Sequence, residues 1–309
     1  MTDLRWLHSA AAVFAVALTA ACGSASTPAA TSTATSAAGA PPASQAVGPQ
    51  YDTVHVYVDA AQFDTFVNSW LATFGGTANP QGLADVTPTA SQTKTQVILS
   101  PVGSISVFGF TTPIPYPFGS ERTGWLTTDL DAGVKAARDA GAALIVAPFP
   151  DPIGRDAVLQ FPGGVNAQLY WHTTTPHYPA LATVPDNHVY LSPDSVDAFL
   201  RSYLDFTQGK VDSDTAAADG ALIGKPGTTF RQIHLTSPYG NARIAVTDGQ
   251  LPYPYGRELA GYQVSDVAAT IAKATAAGAQ VLVPAAKLGS TTSAMLQWPG
   301  GYVAEVHAG

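Results

Sequence analysis

Short runs in which apolar and polar residues alternate dominate this chain, and runs with helical spacing interrupt them. "VHVYV" from Val54 has the period of a strand, and "FDTFVNSWLATF" places Phe63, Phe66, Val67 and Trp70 on one side of a helix. "TQVILSP" and "SISVFGF" read as strands around a turn at "PVG". After the turn "PYPFG", the segment "TGWLTTD" reads as a strand. "DLDAGVKAARDAG" reads as a helix capped by Asp129 and stopped at Gly141. "ALIVAPF", "AVLQF" and "NAQLYWH" complete three further strands. The pattern is β-α-β-β-β, written twice.

The whole unit then recurs. "PYPFGSERTGW" at Pro115 returns as "PYPYGRELAGY" at Pro252, and "LQFPGG" at Leu159 returns as "LQWPGG" at Leu296, both at a shift of 137. "HVYVDAAQFDTFVNSWL" at His55 pairs with "HVYLSPDSVDAFLRSYL" at His188 at a shift of 133, so one small insertion separates the segments. Repeats of this length define the architecture. Two copies of one domain are expected, over residues 51–176 and 185–309.

Ahead of them lie two segments of different character. Residues 1–22 carry one Arg, a short apolar core and then Cys22, a signal-peptide layout too short to span a membrane. "LTAAC" resembles a bacterial lipobox, with Thr19 where Leu is usual, which implies lipidation at Cys22. Residues 23–50 are almost all Ser, Thr, Ala, Pro and Gly and read as a disordered tether. The expectation is an exported protein anchored to the outer face of the bacterial cytoplasmic membrane, or held in the periplasm or cell envelope. Cys22 is the single cysteine, which excludes a disulfide framework and a thiolate metal site. A net charge of −8 without any basic run argues against a nucleic-acid partner. With both domains in one chain, a monomer is expected.

The phrases "TTDLDAGVKAARDAGAALIVAPF…GRDAVLQFPGGVNAQL" and "VSDVAATIAKATAAGAQVLVP…AMLQWPGGYVAEV" resemble the second half of modules in the vicinal oxygen chelate superfamily. That family includes glyoxalase I, extradiol dioxygenases and bleomycin-resistance proteins. The resemblance covers nearly all of residues 51–309. It implies an α+β fold of four βαβββ modules, paired into two tandem glyoxalase-like domains with sheets curled around clefts. It says little about the reaction, because one fold hosts many chemistries.

The resemblance also implies metal ligands on the first and last strands of the modules. Carried over strand by strand, these positions fall on His55 and about Ser106, near Arg122 and on Gln168, on His188 and about Arg243, and on about Leu259 and Glu305. Only His55, Gln168, His188 and Glu305 are possible ligands, two per cleft whether the clefts close within or between copies. Divalent ions such as Zn, Ni, Mn or Fe need three or four. Alternation puts His307 on the face of Glu305, so His188, Glu305 and His307 would make a two-His, one-carboxylate set, though fraying is expected so near residue 309. The alternative is that His55 and His188 are hydrogen-bonded wall residues and Glu305 faces water.

The first copy keeps more polar groups. Glu121, Arg122, Arg155, Asp156, Gln168, Tyr170 and His172 are the candidates for a small-ligand site in its cleft, with a surface ion pair as the alternative for Arg155–Asp156. No phosphate loop or nucleophile-elbow motif is present. Three functions remain open on this reading. One is a binder of a small polar or aromatic molecule without a complete family metal site. The second is a metal-dependent lyase or ring-cleaving dioxygenase. The third is a structural partner of another envelope protein.

Overall fold

A computed structural model of the chain describes residues 45–46, 50, 52–152, 154–172, 180 and 184–309. The expected signal peptide, Cys22, most of the expected tether and the end of the first copy beyond His172 lie outside the described residues.

The first copy contains β1 (Asp52–Tyr57), α1 (Phe63–Phe74), β2 (Thr77–Ala78), β3 (Gly82–Ala84), β4 (Thr93–Ser100) and β5 (Gly103–Phe110). It continues with β6 (Thr123–Leu126), α2 (Leu130–Asp139), β7 (Ala143–Pro150), β8 (Gly154–Phe161) and β9 (Val165–His172). The second copy contains β10 (Asp186–Leu191), α3 (Val196–Thr207), β11 (Lys210–Asp219), β12 (Thr229–Ser237) and β13 (Gly240–Val246). After these come β14 (Glu258–Gln263), α4 (Val267–Ala276), β15 (Gln280–Leu288), β16 (Thr291–Gln297) and β17 (Val303–Ala308). The α+β arrangement of βαβββ modules is therefore present. Asp129 caps α2 by accepting from the Ala132 N–H, and Gly141 stops it at φ 95°. One module departs from the pattern: the strand after α1 is split into β2 and β3 around Pro80, which cannot donate to a ladder.

Each sheet is built from one copy. The orders are β2-β4-β5-β1-β6-β9-β8-β7 and β11-β12-β13-β10-β14-β17-β16-β15. The halves meet antiparallel, β1 on β6 and β10 on β14, so each cleft closes within its own copy. Strand alternation then sorts the side chains. On β10, Val189 and Leu191 join the apolar core with the helices, while His188 and Tyr190 take the opposite, concave face. On β17, Ala304 and Val306 face the helices, leaving Glu305 and His307 on the concave side.

The helices knit the copies together crosswise. One core joins α1, β1 and β5 to β14, α4 and β17, and a second joins α2, β8 and β9 to β10 and α3. Fully buried Trp70 centres the first, with its ring 5.0 Å from Tyr262 and 5.1 Å from Trp298 of the other copy. Aromatic burial on this scale is a large part of the adhesion between copies. Ahead of the first copy, Gln50 clamps β6: its Nε2 donates to the Leu126 carbonyl and its Oε1 accepts from the Leu126 N–H. Ala46 forms a bridge with Thr127.

Candidate metal centre

The concave face of the second copy gathers ionisable side chains from three strands. His188 Nε2 lies 2.9 Å from Glu305 Oε2, and His307 Nδ1 lies 3.0 Å from the same oxygen. His307 Nε2 is 3.8 Å from Asp186 Oδ2, which accepts from Arg243 Nε at 2.7 Å. Asn241 Nδ2 donates to the other oxygen of Asp186 at 3.3 Å. Glu305 is 6 % exposed and His307 3 %. Neither faces water, and His307 sits inside β17, held by the ladder to β16, not in a frayed end.

Local sequence explains how these groups converge. Asp186 and His188 are two apart on β10, Glu305 and His307 two apart on β17, and β14 runs between them. The intervening residue is Gly261, paired with Asp186 on one side and Glu305 on the other. A Cβ at Gly261 would stand 2.5 Å from His188 Nε2 and 3.0 Å from Glu305 Oε2. Glycine is thus what lets the imidazole and the carboxylate fold over the strand.

Burial works against ionisation of Glu305, but the neighbouring imidazoles, His188 first, hold its carboxyl well below the usual range. His188 Nε2 is buried and, although close to Oε2, lacks the direction of a formed hydrogen bond. One carboxylate oxygen of Glu305 thus has a ring nitrogen of each imidazole within 3.0 Å. One donor atom from each of Asp186, His188 and His307 lies within 4.8 Å of the others. This is the one such grouping of three His, Cys, Asp or Glu side chains among the described residues. The donor set fits a divalent ion. Arg243 does not spoil it, because its charge is matched by Asp186.

A cavity of about 150 Å³ opens beside the cluster, walled by Tyr190, Phe230 and Met295 and edged by His234 and Arg243. Burial, then the charges of Arg243 and His188, lower the pKa of His234. Its Nε2 is buried without a hydrogen-bond partner among the described residues.

The first copy carries a different set at the same positions. Gly124 makes room for His55, whose Nε2 would stand 2.5 Å from a Cβ there, and Gly124 pairs with Gln168 as Gly261 pairs with Glu305. Buried Glu121 accepts from the Tyr57 hydroxyl and lies 3.4 Å from His55 Nδ1. Burial, then the Glu121 charge, drives the Tyr57 phenol pKa well above its usual value. Asp156 and Tyr170 are cross-strand partners on the concave face, and His172 meets Tyr170 edge-on at 5.2 Å.

Arg155 does not join them. It shares the helix-facing side of β8 with Ala157, Leu159 and Phe161 and forms a two-pronged pair with Asp131 of α2, at 3.0 and 3.1 Å. Arg122 stacks over the Tyr57 ring at 5.3 Å. Ser106 and Gln168 are buried, Leu259 stands opposite His188, and Arg243 is tied to Asp186. Asp186 was missed from the sequence. The signal was there, since the alternation that brings His307 beside Glu305 also brings Asp186 beside His188.

No known family profile matches the chain, and neither does any curated protein. Solved structures do. A triple mutant of 4-hydroxymandelate synthase from Streptomyces coelicolor aligns over 84% of this chain and 93% of its own at 14% identity, with a TM-score of 0.55. The Mn(II)-bound glyoxalase from Novosphingobium aromaticivorans aligns over 84% and 81% at 14% identity, TM-score 0.52. For 2,2',3-trihydroxybiphenyl 1,2-dioxygenase from Sphingomonas wittichii RW1 the figures are 84%, 90%, 12% and 0.52. The chain has the vicinal oxygen chelate fold. At these identities the likeness speaks for the fold alone. Within this vicinal oxygen chelate scaffold, the ligand set implied by the resemblance is incomplete, and Asp186 and His307 extend it along β10 and β17.

Proposed function

We propose that this protein binds a divalent ion through Asp186, His188, Glu305 and His307 and holds a small oxygen-bearing molecule in the adjoining cavity of the second copy. The grouping of donor atoms from Asp186, His188 and His307 within 4.8 Å of one another, with Glu305 Oε2 at 2.9 and 3.0 Å from the two imidazoles, carries this reading. A bound ion would act as a Lewis acid toward the ligand oxygen. The chain's own residues do the rest. Arg243 orients Asp186, Gly261 gives His188 its place, and Tyr190, Phe230 and Met295 form apolar walls for the ligand body.

A metal-dependent lyase or dioxygenase is the second reading, and His234 favours it. A half-buried imidazole at the cavity edge, biased toward its neutral form, is equipped to take a proton from a bound ligand. We further propose that the protein is exported and lipidated at Cys22, which the layout of residues 1–22 supports; mass spectrometry of the mature N-terminus tests it.

The test of the site is metal content by mass spectrometry, after exposure to Zn²⁺, Ni²⁺, Mn²⁺ or Fe²⁺ and dialysis. The wild type should retain about one ion per chain. His307→Ala and Asp186→Asn should each lose it. Retention by both variants, or no retained ion in the wild type, refutes the assignment.

A further inference from the structure

The cavity beside the candidate metal centre has a cover. The loop from Gly220 to Thr228 joins β11 to β12, at one end of the second sheet. It opens with a single 3-10 turn, Gly220–Ile223, which Asp219 caps by accepting from the Ala221 N–H at 2.8 Å. The turn brings Leu222 and Ile223 into the cavity wall. Thr291, Ser293 and Met295 of β16, from the other end of the strand order, line the same cavity. The loop thus spans the curled sheet from one side to the other.

Gly224 makes the crossing close. At φ 73° it lies where a Cβ would stand 2.6 Å from Pro252 Cγ and 2.9 Å from Val283 Cγ2 of β15. Glycine alone meets both the backbone angle and the contact. Ile223 is buried in one core cluster with Val283 and Met295. Lys225 Nζ donates to both carboxylate oxygens of Asp248, at 3.0 and 2.9 Å. These groups anchor the loop. Leu222 plays another part: it packs against the cluster, stays half-buried and lines the cavity.

The first copy writes this loop differently. Between the paired Ala84 and Thr93 it reads "DVTPTASQ", and between the paired Asp219 and Thr229 the second copy reads "GALIGKPGT". The first version has no glycine and neither Leu nor Ile. The cover belongs to the copy that carries Asp186, His188, Glu305 and His307. It also sets a size. The volume beneath it is about 150 Å³, with Tyr190, Phe230 and Met295 as further apolar walls. An apolar space of that size takes a benzene-sized body.

We propose that Leu222 is the specificity-determining residue of the second-copy cavity, which admits molecules whose apolar body is about one six-membered ring or smaller and shuts out fused two-ring bodies. The proposal rests on the reading of this cavity as the ligand site and does not require the ion.

The experiment is isothermal titration of the purified protein with phenol and with 2-naphthol, with Zn²⁺ present and again after chelation. Apolar area alone would make 2-naphthol the tighter ligand, so the reverse order marks a closed wall. Phenol should bind saturably, and 2-naphthol about tenfold more weakly or worse. Leu222→Ala should make room for the second ring and bring 2-naphthol at least level with phenol. Leu222→Trp should overfill the space and weaken phenol about tenfold. Leu83→Ala, at an exposed site on β3 of the first copy, should change neither. A gain in one Leu222 variant and a loss in the other separates a wall residue from a general loss of folding. Equal binding of 2-naphthol and phenol by the wild type, an unchanged ratio in Leu222→Ala, or no saturable phenol binding would each overturn the proposal. The expected ratios without a retained ion would leave the cover standing and sink the metal centre. A retained ion with the ratios lost would sink the cover alone.

Discussion

Gly261 and His188 occupy one another's space: a single added methyl at 261 would stand 2.5 Å from the ring nitrogen Nε2. The imidazole lies over β14 only because the strand has no side chain there. The same relation links Gly124 and His55 in the first copy, so this glycine is part of how both clefts are built.

Gly261→Ala should therefore push His188 away from Glu305. The expected outcome is loss of the retained ion, with a destabilisation of about 1–3 kcal/mol from overpacking. Metal content and thermal unfolding of the variant check both parts.

Removing the ion should also be visible in stability. A ligand that binds the folded state at a hundredfold excess over its Kd adds about 2.7 kcal/mol. Chelation of the loaded wild type should lower Tm by several degrees, whereas His307→Ala should show no response to the chelator. Scanning calorimetry with and without chelator is the measurement.

Glu258 predicts a pH dependence. Burial raises its pKa to about 7 from 4.5, against the pull of its hydrogen bonds from Arg122 and Thr123. The folded state thus holds a proton that the unfolded chain releases. Its stabilising contribution is full below about pH 4.5 and is lost as pH rises through about 7. The swing is roughly 3 kcal/mol at 1.36 kcal/mol per unit. Glu258→Gln should flatten the fall in Tm between pH 5 and 8; an unchanged slope would show that another group sets it.

Trp70 tests the adhesion between copies. It is fully buried against Tyr262 and Trp298, so Trp70→Ala should cost about 3–5 kcal/mol. Because it packs on Phe66 and Phe74 of its own copy and on Tyr262 and Trp298 of the other, chemical denaturation should report a loss shared by both copies and not the unfolding of one.

Much of this was legible in the sequence, and the reasons are specific. The 137-residue echo of "LQFPGG" and "PYPFG" announces the duplication, and period-two runs such as "VHVYV" announce the strands. Asp186 escaped because one ligand position per strand was carried over from the resemblance, while a strand offers every second residue. Arg155 and Asp156 were grouped because they are adjacent, yet adjacency on a strand means opposite faces, and Arg155 found Asp131. Glu121 and Glu258 are written identically in the two repeats and do different work. One meets Tyr57 and His55, and the other binds the backbone of the opposite copy. No local pattern encodes that difference, since it arises from which surface each repeat packs on.

The position of β17 within its sheet has a kinetic consequence. It lies between β14 and β16, near the middle of the order, although it is the final strand in sequence. Until it inserts, the second sheet is two unconnected pieces, and Glu305 and His307 are apart from Asp186 and His188. Pairing across such sequence separation is slow to form. Ion capture should accordingly be among the last events of refolding, and a species trapped before it would have helices and hairpins in place but no metal-binding capacity. The time course of ion uptake would then report arrival at the native topology.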